Sequence, residues 1–160
     1  MSAVQRALRP AFFRIFLALA VAFSVGGATQ LASAPSAEAA AMTSAKRTKV
    51  VKVAATRKGA MYRYGAMGPR RFDCSGLVKW SYARVGKNLP RTSSAQYRST
   101  KRISKSQRKP GDLVFFMSGG HVYHVGIYAG GGKLWDAPKP GKRVTKRSIW
   151  TSKVKYGRVR

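Results

Sequence analysis

Three side chains in this sequence have the chemistry to break an acyl bond together: Cys74, His124 and Asp136. Cys74 is the only cysteine in 160 residues and lies in the run DCSGLVKWSYARV. Asp73 can cap a helix there and place the thiol in its first turn. Backbone N–H groups and the positive end of the helix dipole stabilise a thiolate at that position, although the Asp73 carboxylate opposes it locally. A neighbouring imidazole would complete the activation as a thiolate–imidazolium pair. A free cysteine is more commonly a small buried hydrophobe, but the flanking Asp, Ser and Gly argue against that here.

Two imidazoles are available, His121 and His124 in HVYHVGIY. Asp136 follows His124 by twelve residues, across Gly130-Gly131-Gly132. If Tyr128 faces Gly132, the hairpin sets His124 directly opposite Asp136 on one sheet face, where a carboxylate can orient an imidazole. A one-residue slip puts the two on opposite faces. His121 stands at an odd offset from His124, so it is expected to face away as a solvent or edge histidine. His124 is therefore the candidate base. A lone cysteine and two histidines leave no disulfide framework and no multi-thiolate zinc site, so no metal is expected.

The elements that must position these groups can be read from pattern. Asp73 to Val85 reads as a helix, with Leu77, Val78, Ser81, Tyr82 and Val85 at helical spacing and Gly86 as its stop. Val50 to Arg57 and residues 92–98 have helical character, and 99–109 reads as a basic exposed loop. Asp112 to Met117, His121 to Tyr128, Lys133 to Asp136 and Val144 to Trp150 read as strands between glycine turns. Helices first and an antiparallel meander after them make an α+β layout.

The N-terminal region reads as an address. Arg6, Arg9 and Arg14 precede an apolar stretch from Ile15 to Val25, and small residues follow as Ala32-Ser33-Ala34 and Ala37-Glu38-Ala39. That is the build of a secretory signal peptide over 1–39, cleaved after Ala39. The apolar run is shorter than the roughly 20 residues of a membrane span. Residues 40–51 read as a basic flexible arm, and 52–160 as one domain. Removing three arginines and Glu38 from 32 Lys+Arg and four Asp+Glu leaves 29 bases, three acids and a net charge of +26. Such a chain suits anionic partners.

The runs RFDCSGLVKWSYARVGKNLPRTSSAQY, KPGDLVFF and HVGIYAGGGKLWDAP resemble the NlpC/P60 family of cell-wall cysteine peptidases over residues 52–160. The resemblance implies a papain-like α+β fold, with the cysteine on a helix packed against an antiparallel sheet that carries the histidine. It implies cleavage of amide bonds in peptidoglycan stem peptides, most often between D-glutamate and the following diamino acid, with no cofactor. By position it makes Cys74 the nucleophile and His124 the general base. Asp136 takes the third catalytic position, where relatives more often have histidine, or sometimes asparagine or glutamine.

Tyr62 matches the tyrosine of the family's PYxWGG-like segment, here MYRYGA with Ala66 in place of the second glycine. Its phenol would bond substrate or oxyanion near the thiolate, or else pack in the core. Asp73 and Ser75 resemble positions lining the substrate cleft, and Asp73 could equally be only a helix cap. Asp112 reads as a turn carboxylate ahead of a strand.

The expected protein is thus a secreted, wall-associated monomer with no span retained after cleavage. Peptidoglycan stem peptides are its substrate, and its basic surface is held by anionic wall polymers. A catalytically weak or inactive wall-binding protein of the same fold is the alternative. A nucleic-acid binder is disfavoured, because the interleaving of Tyr156 with Lys153, Lys155 and Arg158 is a weak pattern.

Overall fold

Thr43 starts the first helix, α1 (Ser44–Ala55), by accepting the Lys46 N–H on its hydroxyl at 3.2 Å. The computed structural model describes residues 42–160, so the expected leader at 1–39 lies outside the described residues. The flexible arm expected over 40–51 is instead helical from Ser44. The physical reason is burial: Val50 and Ala54 are wholly enclosed in the main core, and their packing outweighs a local sequence that is small, polar and basic.

Two short parallel strands, β1 (Met61–Tyr62) and β2 (Arg71–Phe72), lead into α2 (Cys74–Ala83). Asp73 has an extended backbone and takes the Gly76 N–H on its carboxylate at 2.7 Å, the expected N-cap. Leu77, Val78 and Tyr82 form the buried face. Gly86, at φ 76°, follows the helix end in the left-handed region where glycine carries no Cβ penalty. Helix α3 (Ser93–Ser99) is capped by Thr92, whose hydroxyl accepts the Ala95 N–H at 3.3 Å.

The sheet is antiparallel and six-stranded: β3 (Lys101–Ile103), β4 (Leu113–Ser118), β5 (His121–Gly130), β6 (Lys133–Asp136), β7 (Thr145–Ser148) and β8 (Val154–Arg158). Strands β4 to β7 form the expected meander, but the spatial order is β3-β8-β4-β5-β6-β7. The C-terminal tail therefore inserts between β4 and a strand in the stretch read as an exposed loop. Val114 pairs with Tyr156 and Phe116 with Val154, so tertiary pairing supplies the strand signal that the flanking lysines and arginines mask.

Alternation along the strands splits the apolar residues into two clusters. Leu113, Phe115, Val125 and Ile127 join Val50, Leu77, Val78 and Tyr82 from the helices. Val114, Phe116, Tyr128, Leu134 and Tyr156 form the second cluster. Two polar ties fix the sheet's framing. Asp112, almost fully buried, accepts Arg158 Nε and Nη2, each at 2.8 Å, and the Lys109 N–H at 2.6 Å. It is more than a turn carboxylate, since it joins the start of β4 to the end of β8. The buried Tyr82 phenol donates to the Gly111 carbonyl and so links α2 to the same turn.

Tyr82→Phe leaves that carbonyl without its donor inside the core. It should cost about 1–3 kcal/mol of stability, read as a lower urea midpoint at unchanged m-value.

Candidate active site

The site is built around the tip of α2. Cys74 is its first residue, half-buried, and the Asp73 carboxylate fixes the chain on both sides of it. Besides the Gly76 N–H, Asp73 accepts the Gly65 N–H at 2.9 Å and the Ser75 hydroxyl at 3.2 Å. Arg91 forms an ion pair with the same carboxylate, with Nη1 at 3.0 Å from Oδ1, and donates to Ser75 Oγ at 2.9 Å. Gln96, wholly buried on α3, donates to the carbonyls of Ser75 and Pro90 at 2.9 Å each. The segment 89–96 thus braces the helix tip. Gly76 is required because a Cβ there would stand 2.1 Å from the Ala66 carbonyl oxygen. Asp73 and Ser75 are buried, each 5% exposed.

Tyr62 is half-buried beside this tip, its N–H bonded to the Lys142 carbonyl at 2.9 Å. Burial raises its pKa above 10.0, and the nearby charges of Cys74 and Asp73 add to that, so the phenol stays a proton donor.

The facing group comes from β5 and β6. Ile127 pairs with Trp135 and Tyr128 with Leu134, and the register shifts between Tyr128 and Gly130. Tyr128 therefore faces Leu134 and not Gly132. Continuing that register sets Asp136 across from Gly126, two residues from His124. An offset of two keeps the side chains on one face, and diagonal neighbours on a sheet remain within reach of long side chains. His124 Nε2 lies 2.7 Å from Asp136 Oδ2. Gly126 makes room for this approach, since a Cβ on it would meet Leu134 Cδ1 at 2.3 Å and Asp136 Cβ at 3.2 Å. His121 pairs with Ser118 at the exposed start of β5, apart from the His124–Asp136 pair.

Asp136 has zero exposure and a second partner, Arg147 on β7. Arg147 Nε reaches Oδ1 and Oδ2 at 3.0 and 3.1 Å, and Nη2 reaches Oδ2 at 2.5 Å. The guanidinium also lies 3.8 Å from the centre of the Trp150 ring, which stacks on Phe116 at 3.9 Å.

With Nε2 taken by Asp136, Nδ1 is the ring nitrogen of His124 left to meet the thiol. Burial opposes protonation of the imidazole, but hydrogen bonds to Asp136 and Cys74 and the charges of both outweigh it, raising its pKa from 6.5 to about 9. A thiol, an imidazole and a buried carboxylate in series can hold a thiolate–imidazolium pair and pass a proton to a leaving group.

The NlpC/P60 family model matches residues 59–159, nearly the whole described domain. The chain belongs to the NlpC/P60 family. Among its relatives, "Probable endopeptidase p60" of Listeria monocytogenes is 55% identical over 83 residues, 52% of this chain and 17% of that protein. The "Bifunctional muramidase/DL-endopeptidase CwlT" of Bacillus subtilis is 40% identical over 118 residues, 69% of this chain and 36% of that protein. This NlpC/P60 chain therefore spans well under half the length of either. The crystal structure of the NlpC/p60 domain of the peptidoglycan hydrolase SagA superposes with a TM-score of 0.63 at 35% identity, over 69% of this chain and 95% of that domain. The expected papain-like α+β fold is the one observed.

Sequence reading did not single out Arg91, Gln96, Gly126 or Arg147. Arg91 and Gln96 sit in LPRTSSAQY and Gly126 in HVGIY, both runs that carry the family resemblance, so a signal existed. Arg147 has none, standing among Lys142, Arg143 and Lys146 as one more cation.

Replacing Asp136 by Asn removes the carboxylate whose hydrogen bond does most to raise the His124 pKa. An NMR titration should place the His124 midpoint near 9 in the wild type and about 1–3 units lower in Asp136→Asn. A folded-state pKa above the unfolded value of about 6.5 stabilises the fold at low pH. The melting-temperature gap between wild type and variant should therefore be widest below about pH 6.5 and narrow as pH rises through 9.

Proposed function

We propose that this protein is a secreted cysteine peptidase that hydrolyses amide bonds in peptidoglycan stem peptides, cutting between D-glutamate and the following diamino acid. The observation that carries the reading is a single imidazole joining Cys74 to the buried Asp136. The names of relatives support it: a DL-endopeptidase and a peptidoglycan hydrolase.

In this mechanism the Cys74 thiolate attacks the amide carbonyl carbon and forms a tetrahedral intermediate. The Cys74 backbone N–H and the Tyr62 phenol donate to the oxyanion. His124 gives its proton to the amine nitrogen as the C–N bond breaks, leaving a thioester on Cys74. Water then attacks the thioester, His124 takes its proton, and the thiolate leaves. Asp136 stays ionised throughout and holds Nε2–H, which fixes the tautomer and ring orientation. Asp73 and Ser75 shape the floor of the substrate cleft, with Arg91 keeping both in place.

The same reading gives the charge a role. Asp73, Asp112 and Asp136 each already have an arginine partner, so the other lysines and arginines act outward. They would hold a monomeric enzyme on anionic wall polymers outside the cell. Among the described residues no helix is long and apolar enough to cross a membrane.

Mass spectrometry of purified muropeptides incubated with the protein should show products split at the D-glutamyl–diamino acid bond, and Cys74→Ala should yield none. Equal product from both would remove Cys74 from the mechanism. Sedimentation with purified walls should weaken steeply as salt is raised to about 1 M, where the Debye length falls to roughly 3 Å. Binding unchanged across that range would overturn the electrostatic account.

A further inference from the structure

Beside His124 lies an open groove of about 770 Å³ that the reaction above does not use. One wall is the loop at 137–144 between β6 and β7, and the other carries Tyr123 and Trp150. Lys139, Lys142, Arg143 and Arg147 all line it. Arg147 is committed to Asp136, and Arg143 gives one N–H to the Gly59 carbonyl at 2.9 Å while its side chain remains exposed. Lys139 and Lys142 are exposed, and the three described carboxylates pair elsewhere, with Arg91, Arg158 and the Arg147–His124 pair.

Backbone hydrogen bonds order the loop that carries these cations. The Lys142 N–H bonds the Lys139 carbonyl at 3.1 Å, and the Lys142 carbonyl accepts the Tyr62 N–H at 2.9 Å. Like charges gathered on one ordered loop repel one another, and a bound anion relieves that repulsion.

The reaction's own chemistry decides which part of a substrate reaches the groove. His124 delivers its proton to the leaving amine, so the departing residue lies on the imidazole side of Cys74. The groove that His124 lines is on that side. Resting on the peptidase reading above, we propose that this groove is a subsite for a carboxylate on the residue that follows the cut bond. It favours peptides whose leaving residue carries a free carboxylate over the same peptides with a carboxamide there. Lys139, Lys142 and Arg143 supply the charge. Trp150, stacked between Phe116 and the Arg147 guanidinium, gives the residue's apolar stem a fixed surface.

Two synthetic stem peptides that differ only in carboxylate or carboxamide on the residue after the scissile bond test this. At low salt kcat/KM should favour the carboxylate by about tenfold, a gap that shrinks with added salt. The double variant Lys139→Gln/Lys142→Gln should bring the ratio close to one. Lys105→Gln/Lys155→Gln removes the same charge at the β3–β8 end of the sheet and should keep the ratio. Calorimetric binding of both peptides to Cys74→Ala should show the same preference without turnover. Carboxylate-selective binding by a chain that cuts neither peptide would count against the peptidase reading and leave the groove's role standing. A ratio near one in the wild type, or one that survives Lys139→Gln/Lys142→Gln, would overturn the proposal.

Discussion

An ionised carboxylate with no solvent exposure holds the site together. Removing a carboxylate from water costs several kcal/mol even after the protein relaxes. Asp136 offsets this with two cationic partners, His124 on one side and a multiply bonded Arg147 on the other. Arg147 matters because its charge opposes what Asp136 does to the imidazole. A neutral His, Asn or Gln, which the family resemblance leads one to expect at this position, orients the ring without adding a charge. Here aspartate arrives with its own counter-cation, so an acceptor of fixed direction is kept while Arg147 offsets part of its charge. The raised His124 pKa shows that the cancellation is incomplete, and the imidazolium is still favoured.

The same economy governs the other two described carboxylates. Asp73 pairs with Arg91, and Asp112 pairs with Arg158. Each pair joins segments distant in sequence: the α2 tip to the loop before α3, and the first residue before β4 to the last strand. Each carboxylate also accepts backbone N–H groups that its turn or helix end would otherwise leave open. In a chain this poor in acids, every described carboxylate is a structural junction. The excess of lysines and arginines over these three carboxylates favours an anion outside the fold.

Much of this could be read from the sequence because the relevant physics is local. The cap at Asp73, the stop at Gly86 and the alternating strand around Phe115 and Phe116 are all encoded within a few residues of where they act. The hairpin carrying His124 and Asp136 was legible for a subtler reason. The facing pair expected from the glycine turn, Tyr128 with Gly132, is not formed, yet sharing a face depends only on the parity of the offset. With the bulge at Ala129, Tyr128 pairs with Leu134, two residues from the expected Gly132, and that even difference leaves both side chains on the same face. What stayed hidden depends on remote partners. Strand β8 reads as a basic tail until β4 and β3 flank it, the start of α1 reads as an arm until Val50 and Ala54 meet the core, and Arg147 is indistinguishable from its neighbours until β7 lies beside β6.

That last case shows how the excess of cations and the chemistry are connected. The chain from Trp135 to Trp150 contains one acid and five lysines or arginines, and only folding separates their roles. Strand pairing sets Leu134 across from Arg147 and Asp136 across from Thr145, so Arg147 approaches the carboxylate diagonally, as His124 does from the other side. The loop between β6 and β7 holds Lys139, Lys142 and Arg143, which have no such partner strand and line the open groove. One basic segment thereby supplies both an internal counter-charge, partly buried and geometrically fixed, and an external one, hydrated and free to meet an anion. Substituting a cation in the first setting changes the imidazole, and substituting one in the second changes only what the groove attracts.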